Sequence, residues 1–316
     1  MRKANWVTQG LRYTKESAAN IVSAIRQWIF FTTYFSLPVI PATPDMLVCF
    51  LELMARTSGY EHLKHCLSSV KYLHIAQNIP FPENNFQVDA TMQGLKRKLA
   101  GVAFQVLPIT PSILRDIYRC LNVNKLEDLA LWCSFLLSFY ALLRKKSVVP
   151  GAGDHDSRKV LSRKHLVIDL QSNIIYMYSS FSKTNQFGAR DLVVPIAGNS
   201  DPALDPVRHL QALFTQVQAT PDSPAFTFGP GHVTYSKFTT QLKMLLSKAG
   251  YSPNHYSGHS FRRGGATFLH SCGGTALMVQ ASGDWTSNCF TRYLFLSTAE
   301  RWKSQLLIAR GIAAAA

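Results

Sequence analysis

Residues 164–196 interrupt a chain whose other apolar residues follow a helical period. Three short runs there are rich in β-branched and aromatic side chains and are separated by turn-forming residues. These runs are Leu166–Leu170, Ile174–Tyr178 and Asp191–Ile196. Because consecutive strands joined by short turns pair with each other, the pattern predicts a three-stranded antiparallel meander. The fold class that we expect is therefore mainly α with a small antiparallel β-sheet.

The chain before the meander predicts two domains. Apolar residues recur on one helix face in four segments, which begin near Ser17, Pro44, Gly59 and Asp89. The stretch Val106–Pro111 cannot continue a helix, since its prolines fix an extended or turn backbone, and Thr110 is suited to cap the helix that follows. We therefore predict a helical domain over residues 1–104, a linker over 105–110 and a second domain over 111–316.

In the second domain, helical segments are predicted both before and after the meander in the sequence. Helical spacing is found in Glu127–Leu143, which is apolar almost throughout, and again in five later segments. Those segments are Val207–Val217, Tyr235–Ala249, Phe261–His270, Thr275–Gly283 and Thr298–Ala309. The last of them predicts a C-terminal helix.

The charge balance points to a polyanionic partner. The chain has 33 lysines and arginines against 18 acidic residues, a formal net charge of +15. Clustered basic residues neutralise phosphates and release counterions, so they favour nucleic acid. A membrane surface is favoured less, because the clusters do not lie on one amphipathic helix. The candidate DNA contacts are Lys96, Arg97, Lys98, Lys145, Lys146 and Arg263.

The cysteines and the apolar runs indicate the cellular compartment in which we expect the protein. Six cysteines without a Cys-x-x-Cys motif predict buried free thiols in a reducing compartment. The first residues do not resemble a signal peptide, and the apolar run Leu129–Leu143 is shorter than the ~18 residues that a membrane-spanning helix needs. We expect an intracellular protein, which would be nuclear if the host is eukaryotic.

Six side chains in the second domain carry reactive or anion-binding groups. They are Arg144, Lys183, His259, Arg262, Trp285 and Tyr293. Each also has an ordinary structural explanation, since an arginine can compensate a helix dipole, a turn lysine is usually solvated, and aromatic residues usually pack in a core. Together they supply two guanidinium forks, an ammonium, an imidazole and a phenol. This set suits attack on a phosphodiester without a metal.

His259 and Arg262 lie three residues apart at the start of a predicted helix, after the turn-forming Ser257-Gly258. The spacing places both side chains on one face of the first turn, where the helix dipole also favours an anion. Gly264 and Gly265 follow directly and predict a close approach of another backbone to this helix.

Other reaction classes lack their signatures. The sequence has no zinc-ligand spacing, no His-Glu-x-x-His motif and no Walker loop. Asp154-His155-Asp156 could be imagined as a metal site of a nuclease, but small and charged neighbours favour an ordinary loop. We expect no cofactor, no metal and no small-molecule substrate.

The order Arg, Lys, His-x-x-Arg, Trp, Tyr resembles the catalytic set of the tyrosine recombinases. The strings Ser182–Gly188 and Gly258–Thr267 look most like those of eukaryotic mobile-element members, the DIRS-like and Crypton groups. The resemblance implies a core-binding domain over 1–104, a catalytic domain from 111 onward, double-stranded DNA as partner, and a homo-tetramer that holds two DNA sites.

The resemblance also implies a role for each candidate residue. Arg144 and Arg262 would bind the scissile phosphate, and Lys183 would protonate the departing 5′ oxygen. His259 would assist proton transfer around the nucleophile. Trp285 would donate its indole N–H to a phosphate oxygen, and Tyr293 would form a 3′-phosphotyrosyl bond.

Two departures from the family pattern keep alternatives open. Many phage and bacterial members place an acidic residue three positions after the first arginine, where this chain has Ser147. The interval from Trp285 to Tyr293 is also one residue shorter than in many of them. The alternatives are a catalytically inactive, domesticated DNA-binding protein of the same fold, and a type IB topoisomerase-like enzyme that relaxes DNA.

Overall fold

The fold comes from a computed structural model, which describes residues 15–100, 106–151, 155–179, 192–285, 287–294 and 305–306. At residues 15, 16, 179, 292 and 293 only the backbone is described. The chain divides into two compact units, Met1–Phe104 and Gln105–Ala316, and each unit has its own apolar core.

The first unit is a group of four helices. They are α1 (Lys15–Tyr34), α2 (Pro44–Met54), α3 (Tyr60–Ala76) and α4 (Phe86–Lys98). Trp28, Phe50 and Leu63 are completely buried between them. The start of α2 follows from local chemistry, because Pro44 occupies the first turn and the Thr43 hydroxyl accepts a hydrogen bond from the Met46 N–H. The four predicted helices are confirmed.

The helices of the second unit surround one central helix. In chain order they are α5 (Pro111–Arg119), α6 (Leu126–Tyr140), α7 (Lys145–Val148), α8 (Pro206–Gln216), α9 (Tyr235–Lys248), α10 (His259–Ser271) and α11 (Ala276–Ser282). Short 3₁₀ helices span Arg163–His165, Pro253–His255 and Asn288–Tyr293. Every residue of α6 from Leu129 to Phe139 is buried, so this helix forms the centre of the core.

The meander is present as predicted. Its strands are β1 (Leu166–Asp169), β2 (Ile174–Ser179) and β3 (Leu192–Ala197), paired antiparallel in the order β1-β2-β3. Ile175, Met177 and Ile196 point into the core and are buried. A two-stranded sheet of β4 (Thr227–Phe228) and β5 (Gly231–His232) lies elsewhere in the chain. The expected fold class, mainly α with a small antiparallel sheet, is confirmed.

The glycine pair of α10 lies against two other segments of the backbone. A Cβ at Gly264 would overlap the Ile109 carbonyl, and one at Gly265 would overlap the Phe139 carbonyl. The predicted close approach is therefore confirmed, and it identifies Ile109 and the end of α6 as the partners. Because α10 carries His259 and Arg262, this packing brings them to the chain that leads into Arg144.

Two sequence expectations need correction. The central helix was expected to run to Leu143 but ends at Tyr140, since Leu142 adopts a positive φ of 49°. All six cysteines are free thiols, as predicted, but Cys49, Cys272 and Cys289 are exposed. Cys49 shows the reason, because the neighbouring residues Leu47 and Phe50 face the core and leave it on the outer face of α2.

Part of the predicted chemistry lies outside the described residues. Lys183 belongs to the connection between β2 and β3, and Thr298–Ala309 is described only at residues 305 and 306, both helical. Within the described ranges, no helix has the length and apolar character that crossing a membrane requires.

Candidate active site

Arg144 stands where the chain leaves the central helix. Three residues separate it from the end of α6, and it caps the start of α7 with an extended backbone. Its side chain is half-buried and lines a cleft together with Ser147 and Arg262. Arg144 is therefore placed to interact with an anion in the cleft. This role is distinct from compensating the dipole of α6.

Arg262 is fixed inside the second unit by two backbone carbonyls. Its side chain is 3% exposed. Nη1 donates to the Leu142 carbonyl, and Nη2 donates to the Gly283 carbonyl at 2.7 Å. Leu142 follows the end of α6, and Gly283 follows the end of α11. The guanidinium of Arg262 therefore links the ends of these two helices.

Trp285 covers the same guanidinium. The Arg262 Cζ atom lies 3.8 Å from the centroid of the Trp285 ring, a cation–π contact. A Cβ at Gly283 would overlap the indole ring, so only glycine fits there. Asp284, between them, has a positive φ of 51°, which aspartate tolerates better than most residues. The turn after α11 thus places the indole on Arg262.

The cleft is lined by both Arg144 and Arg262. Gly283 and Asp284 also line it, as do Met177 of β2 and Leu192 of β3. Two arginines at one cleft give it a positive charge, which suits an anion with several oxygens, such as a phosphodiester. Ser147 adds a hydroxyl to this lining, where an acidic side chain would offset the positive charge.

His259 begins α10 close to the two arginines. The residue is exposed, yet partial loss of hydration lowers the pKa of its imidazole, and Lys145, Arg144 and Arg262 lower that pKa further. The neutral imidazole, which can accept a proton, is therefore the favoured form near neutral pH.

Tyr293 is described by its backbone alone. It ends the 3₁₀ helix Asn288–Tyr293, which packs on α10 and α11. Phe290 of that helix is buried against Trp285, with ring centroids 6.2 Å apart. The segment that carries the predicted nucleophile therefore lies beside the indole that covers Arg262.

The predicted DNA contacts differ in exposure. Lys96, Arg97 and Lys98 are exposed in the last turn of α4, and Lys98 Nζ lies 3.8 Å from the Glu52 carboxylate. Lys145 is half-buried and Lys146 is exposed. Arg263 is only 8% exposed, and burial lowers the pKa of its guanidinium.

Two residues of the site carry no signal that a single sequence could have shown. Leu142 and Gly283 act through their carbonyls, which bind Arg262. A glycine two positions before a tryptophan is common, and nothing marks Leu142 among the leucines around it. The partnership becomes visible only when α10 is packed against α6.

The comparisons with known proteins concern the fold. By sequence, the chain matches no family model and no curated protein. By structure, it is similar to a lambda integrase dimer bound to a COC′ core site, with a TM-score of 0.59 and 13% identity over 95% of this chain and 76% of that one. Its similarity to the Tn1549 transposon integrase in complex with circular intermediate DNA has a TM-score of 0.56 and 14% identity, over 86% of this chain and 87% of that one.

A third similar structure is the XerH site-specific recombinase bound to palindromic difH substrate, with a TM-score of 0.56 and 11% identity over 84% of this chain and 69% of that one. At these identities the likeness establishes the fold, which matches that of tyrosine recombinase catalytic domains.

Proposed function

We propose that this chain is a tyrosine recombinase, which cuts and rejoins DNA strands through a 3′-phosphotyrosyl intermediate without metal or ATP. One observation carries the proposal: Arg144 and Arg262, far apart in the sequence, line one cleft in a chain with this fold. The strong positive charge of the chain favours double-stranded DNA as the source of the phosphate.

The proposed first step is an exchange of phosphoesters. The Tyr293 phenol oxygen attacks the phosphorus, a P–O bond to tyrosine forms, and the bond to the 5′ oxygen breaks. The phenol proton passes to a base, for which neutral His259 is suited, and Lys183 gives a proton to the departing oxygen. The 5′ hydroxyl of a partner strand then reverses the step and releases Tyr293.

Arg144 and Arg262 would act on the charge of the pentacoordinate phosphorus. A guanidinium fork binds two phosphate oxygens with fixed geometry, and groups already positioned need no reorganisation as charge develops. By analogy with oxyanion sites, removing one such donor costs on the order of 100- to 1000-fold in rate.

The proposal extends to assembly and origin. Strand exchange joins ends from two duplexes, so we propose a homo-tetramer on two DNA sites, with residues 1–104 acting as a core-binding domain. The strings around Lys183 and His259 favour an origin in a eukaryotic mobile element, and hence action in the nucleus. A type IB topoisomerase-like enzyme would instead act alone on one duplex, so the stoichiometry of the protein–DNA complex distinguishes the two.

Covalent trapping tests the chemistry directly. A nicked suicide substrate loses the fragment that carries the 5′ hydroxyl, so a phosphotyrosyl adduct accumulates and migrates slowly on a denaturing gel. We expect an adduct with the unaltered chain and none with Tyr293→Phe, which should still bind the DNA. An adduct that persists in Tyr293→Phe would show that another residue is the nucleophile.

Ser147 favours a second candidate, a DNA-binding protein of the same fold that no longer cleaves. Without a carboxylate at this position, the cleft has one fewer group to orient its arginines. For this candidate the unaltered chain would retain the suicide substrate but form no adduct.

A further inference from the structure

Lys145, next to Arg144, is held from two sides. Its Nζ atom lies 4.1 Å from the centroid of the Tyr235 ring, within cation–π range. Its aliphatic stem lies on Gly258, where an added Cβ would overlap Lys145 Cδ and lie 2.9 Å from Lys145 Cγ. The side chain therefore runs between the start of α9 and the start of α10.

Tyr235 is itself firmly placed. It is the first residue of α9, its backbone N–H donates to the Pro150 carbonyl at 2.7 Å, and the Thr234 hydroxyl caps the helix. A ring on such a rigid helix start gives the Lys145 ammonium a defined partner, and less side-chain entropy is then lost when the ammonium meets a phosphate.

Gly258 is needed for space. Its φ of −59° and ψ of −19° are open to any residue, so the backbone does not demand glycine. The contact with Lys145 instead depends on glycine, because a methyl group at position 258 would push the lysine stem away. The next residue along the chain is the candidate base His259, and the Lys145 charge lowers the pKa of its imidazole.

We propose that Tyr235 and Gly258 are positioning residues that hold the Lys145 ammonium beside His259. This inference rests on the proposed function and deepens it, since it adds a positioned cation beside the candidate proton acceptor. A cation fixed there disfavours a second positive charge on the imidazole, and it also offers a further contact to a phosphate that enters the cleft.

The surroundings of His259 support this role. The charged groups that shift its pKa, among the described residues, are Lys145, Arg144 and Arg262, all cations. Arg144 and Arg262 line the cleft itself, so an incoming phosphate would neutralise part of their effect.

The test is the titration of His259 in the DNA-free protein, followed by NMR of the imidazole Cε1–H. We expect Tyr235→Leu and Lys145→Met to move the midpoint to higher pH, because the first releases the Lys145 ammonium from its position and the second removes the ammonium. For each variant we also compare the rate of suicide-substrate cleavage at mildly acidic pH with the rate at mildly alkaline pH. This ratio should be about threefold lower in Tyr235→Leu and Lys145→Met than in the unaltered chain, since more of their imidazole is protonated in mild acid.

Three further variants make the result specific. Tyr235→Phe keeps the ring and should titrate like the unaltered chain. Gly258→Ala should behave like Tyr235→Leu, because it displaces the lysine stem. Phe228→Leu is the matched control: it removes a comparable ring 4.4 Å from Lys237, a lysine that does not shift His259.

An unchanged His259 midpoint in either Tyr235→Leu or Lys145→Met would overturn the inference, and so would a shift of equal size in Phe228→Leu. These outcomes can be distinguished from those of the experiment that tests the proposed function. If the unaltered chain forms no phosphotyrosyl adduct, strand cleavage fails as a proposal, while the titration still decides whether Tyr235 and Gly258 position Lys145.

Discussion

The indole of Trp285 lies over the guanidinium of Arg262, with 3.8 Å between Cζ and the ring centroid. The same guanidinium donates to two backbone carbonyls. Stacking and hydrogen bonding thus fix both the plane and the rotation of Arg262, which is what an arginine needs to meet a phosphate with little reorganisation.

Trp285 variants should separate packing from hydrogen bonding. Trp285→Ala empties a site that is 5% exposed, so we expect a loss of about 3–5 kcal/mol in the free energy of unfolding. Trp285→Phe keeps a ring over Arg262 but removes the indole N–H. If that N–H contacts the phosphate, Trp285→Phe should stay folded and bind DNA but cleave more slowly. Denaturant titration and suicide-substrate trapping measure the two effects, and equal cleavage by Trp285→Phe would contradict a role for the N–H.

Gly283→Ala should displace the indole without changing any charge. The added methyl group overlaps the Trp285 ring, and overpacking of this kind typically costs about 1–3 kcal/mol. We expect a lower midpoint of unfolding and slower adduct formation, with DNA affinity retained. Gly151→Ala is the control, because no described atom would lie within 4 Å of its Cβ. Equal effects of the two substitutions would show that the contact with Trp285 is unimportant.

Arg144→Lys should keep the positive charge and lose the fork. Since an ammonium cannot bind two phosphate oxygens with fixed geometry, we expect adduct formation to slow on the order of 100-fold, with little change in DNA affinity. Arg115→Lys is a matched control, since Arg115 pairs with Asp201 at 2.8 Å on the surface. Single-turnover cleavage measures the loss, and a rate like that of the control would remove Arg144 from the proposed mechanism.

The basic end of α4 should contribute to DNA affinity mainly through phosphates. Lys96→Ala or Arg97→Ala should weaken binding to all sequences and lower the slope of log K against log salt by about one. Lys64→Ala serves as the control, because Lys64 already pairs with Glu61 at 3.1 Å. Fluorescence anisotropy over a salt series tests this, and an unchanged slope in both Lys96→Ala and Arg97→Ala would place the DNA elsewhere.

His209 should make the protein less stable in mild acid. Burial lowers the pKa of its imidazole, while Nε2 faces the Pro202 carbonyl at 3.0 Å and the Ala203 carbonyl at 3.1 Å. Below the unfolded-state pKa of roughly 6.5, the unfolded chain binds a proton that the folded chain still resists. The free energy of unfolding should therefore fall as pH decreases through this region.

Denaturant unfolding at several pH values measures that dependence, and His209→Gln, which retains an N–H at a similar position, should reduce it. An unchanged dependence in His209→Gln would assign the effect to other histidines. Burial also lowers the pKa values of His155 and His165, so part of the dependence should remain.

Local signals in the sequence predicted much of this architecture. The Thr110 hydroxyl caps α5 by accepting from the Ile113 N–H at 3.3 Å, as the Thr-Pro pair indicates. Gly264 and Gly265 predicted a close backbone contact at α10. Both features depend on neighbours in the chain or on the absence of a side chain, and a single sequence records these directly.

Long-range partners could not be predicted in the same way. The central helix was expected to reach Leu143, because leucine favours helix, but Leu142 leaves the helical region and turns its carbonyl to Arg262. The stabilising partner comes from a helix more than a hundred residues later in the sequence. Similarly, no pattern linked Lys145 to Tyr235, since their contact depends on how α7, α9 and α10 meet.

We expect the bond from Arg262 to the Leu142 carbonyl to couple the two arginines thermodynamically. Leu142 lies two residues before Arg144, so the group that anchors one guanidinium also sets the backbone from which the other projects. Substituting Arg262 would therefore already disturb Arg144, and a double-mutant cycle should show a combined loss well below the product of the single losses. Evolutionary selection would therefore act on Arg144 and Arg262 together.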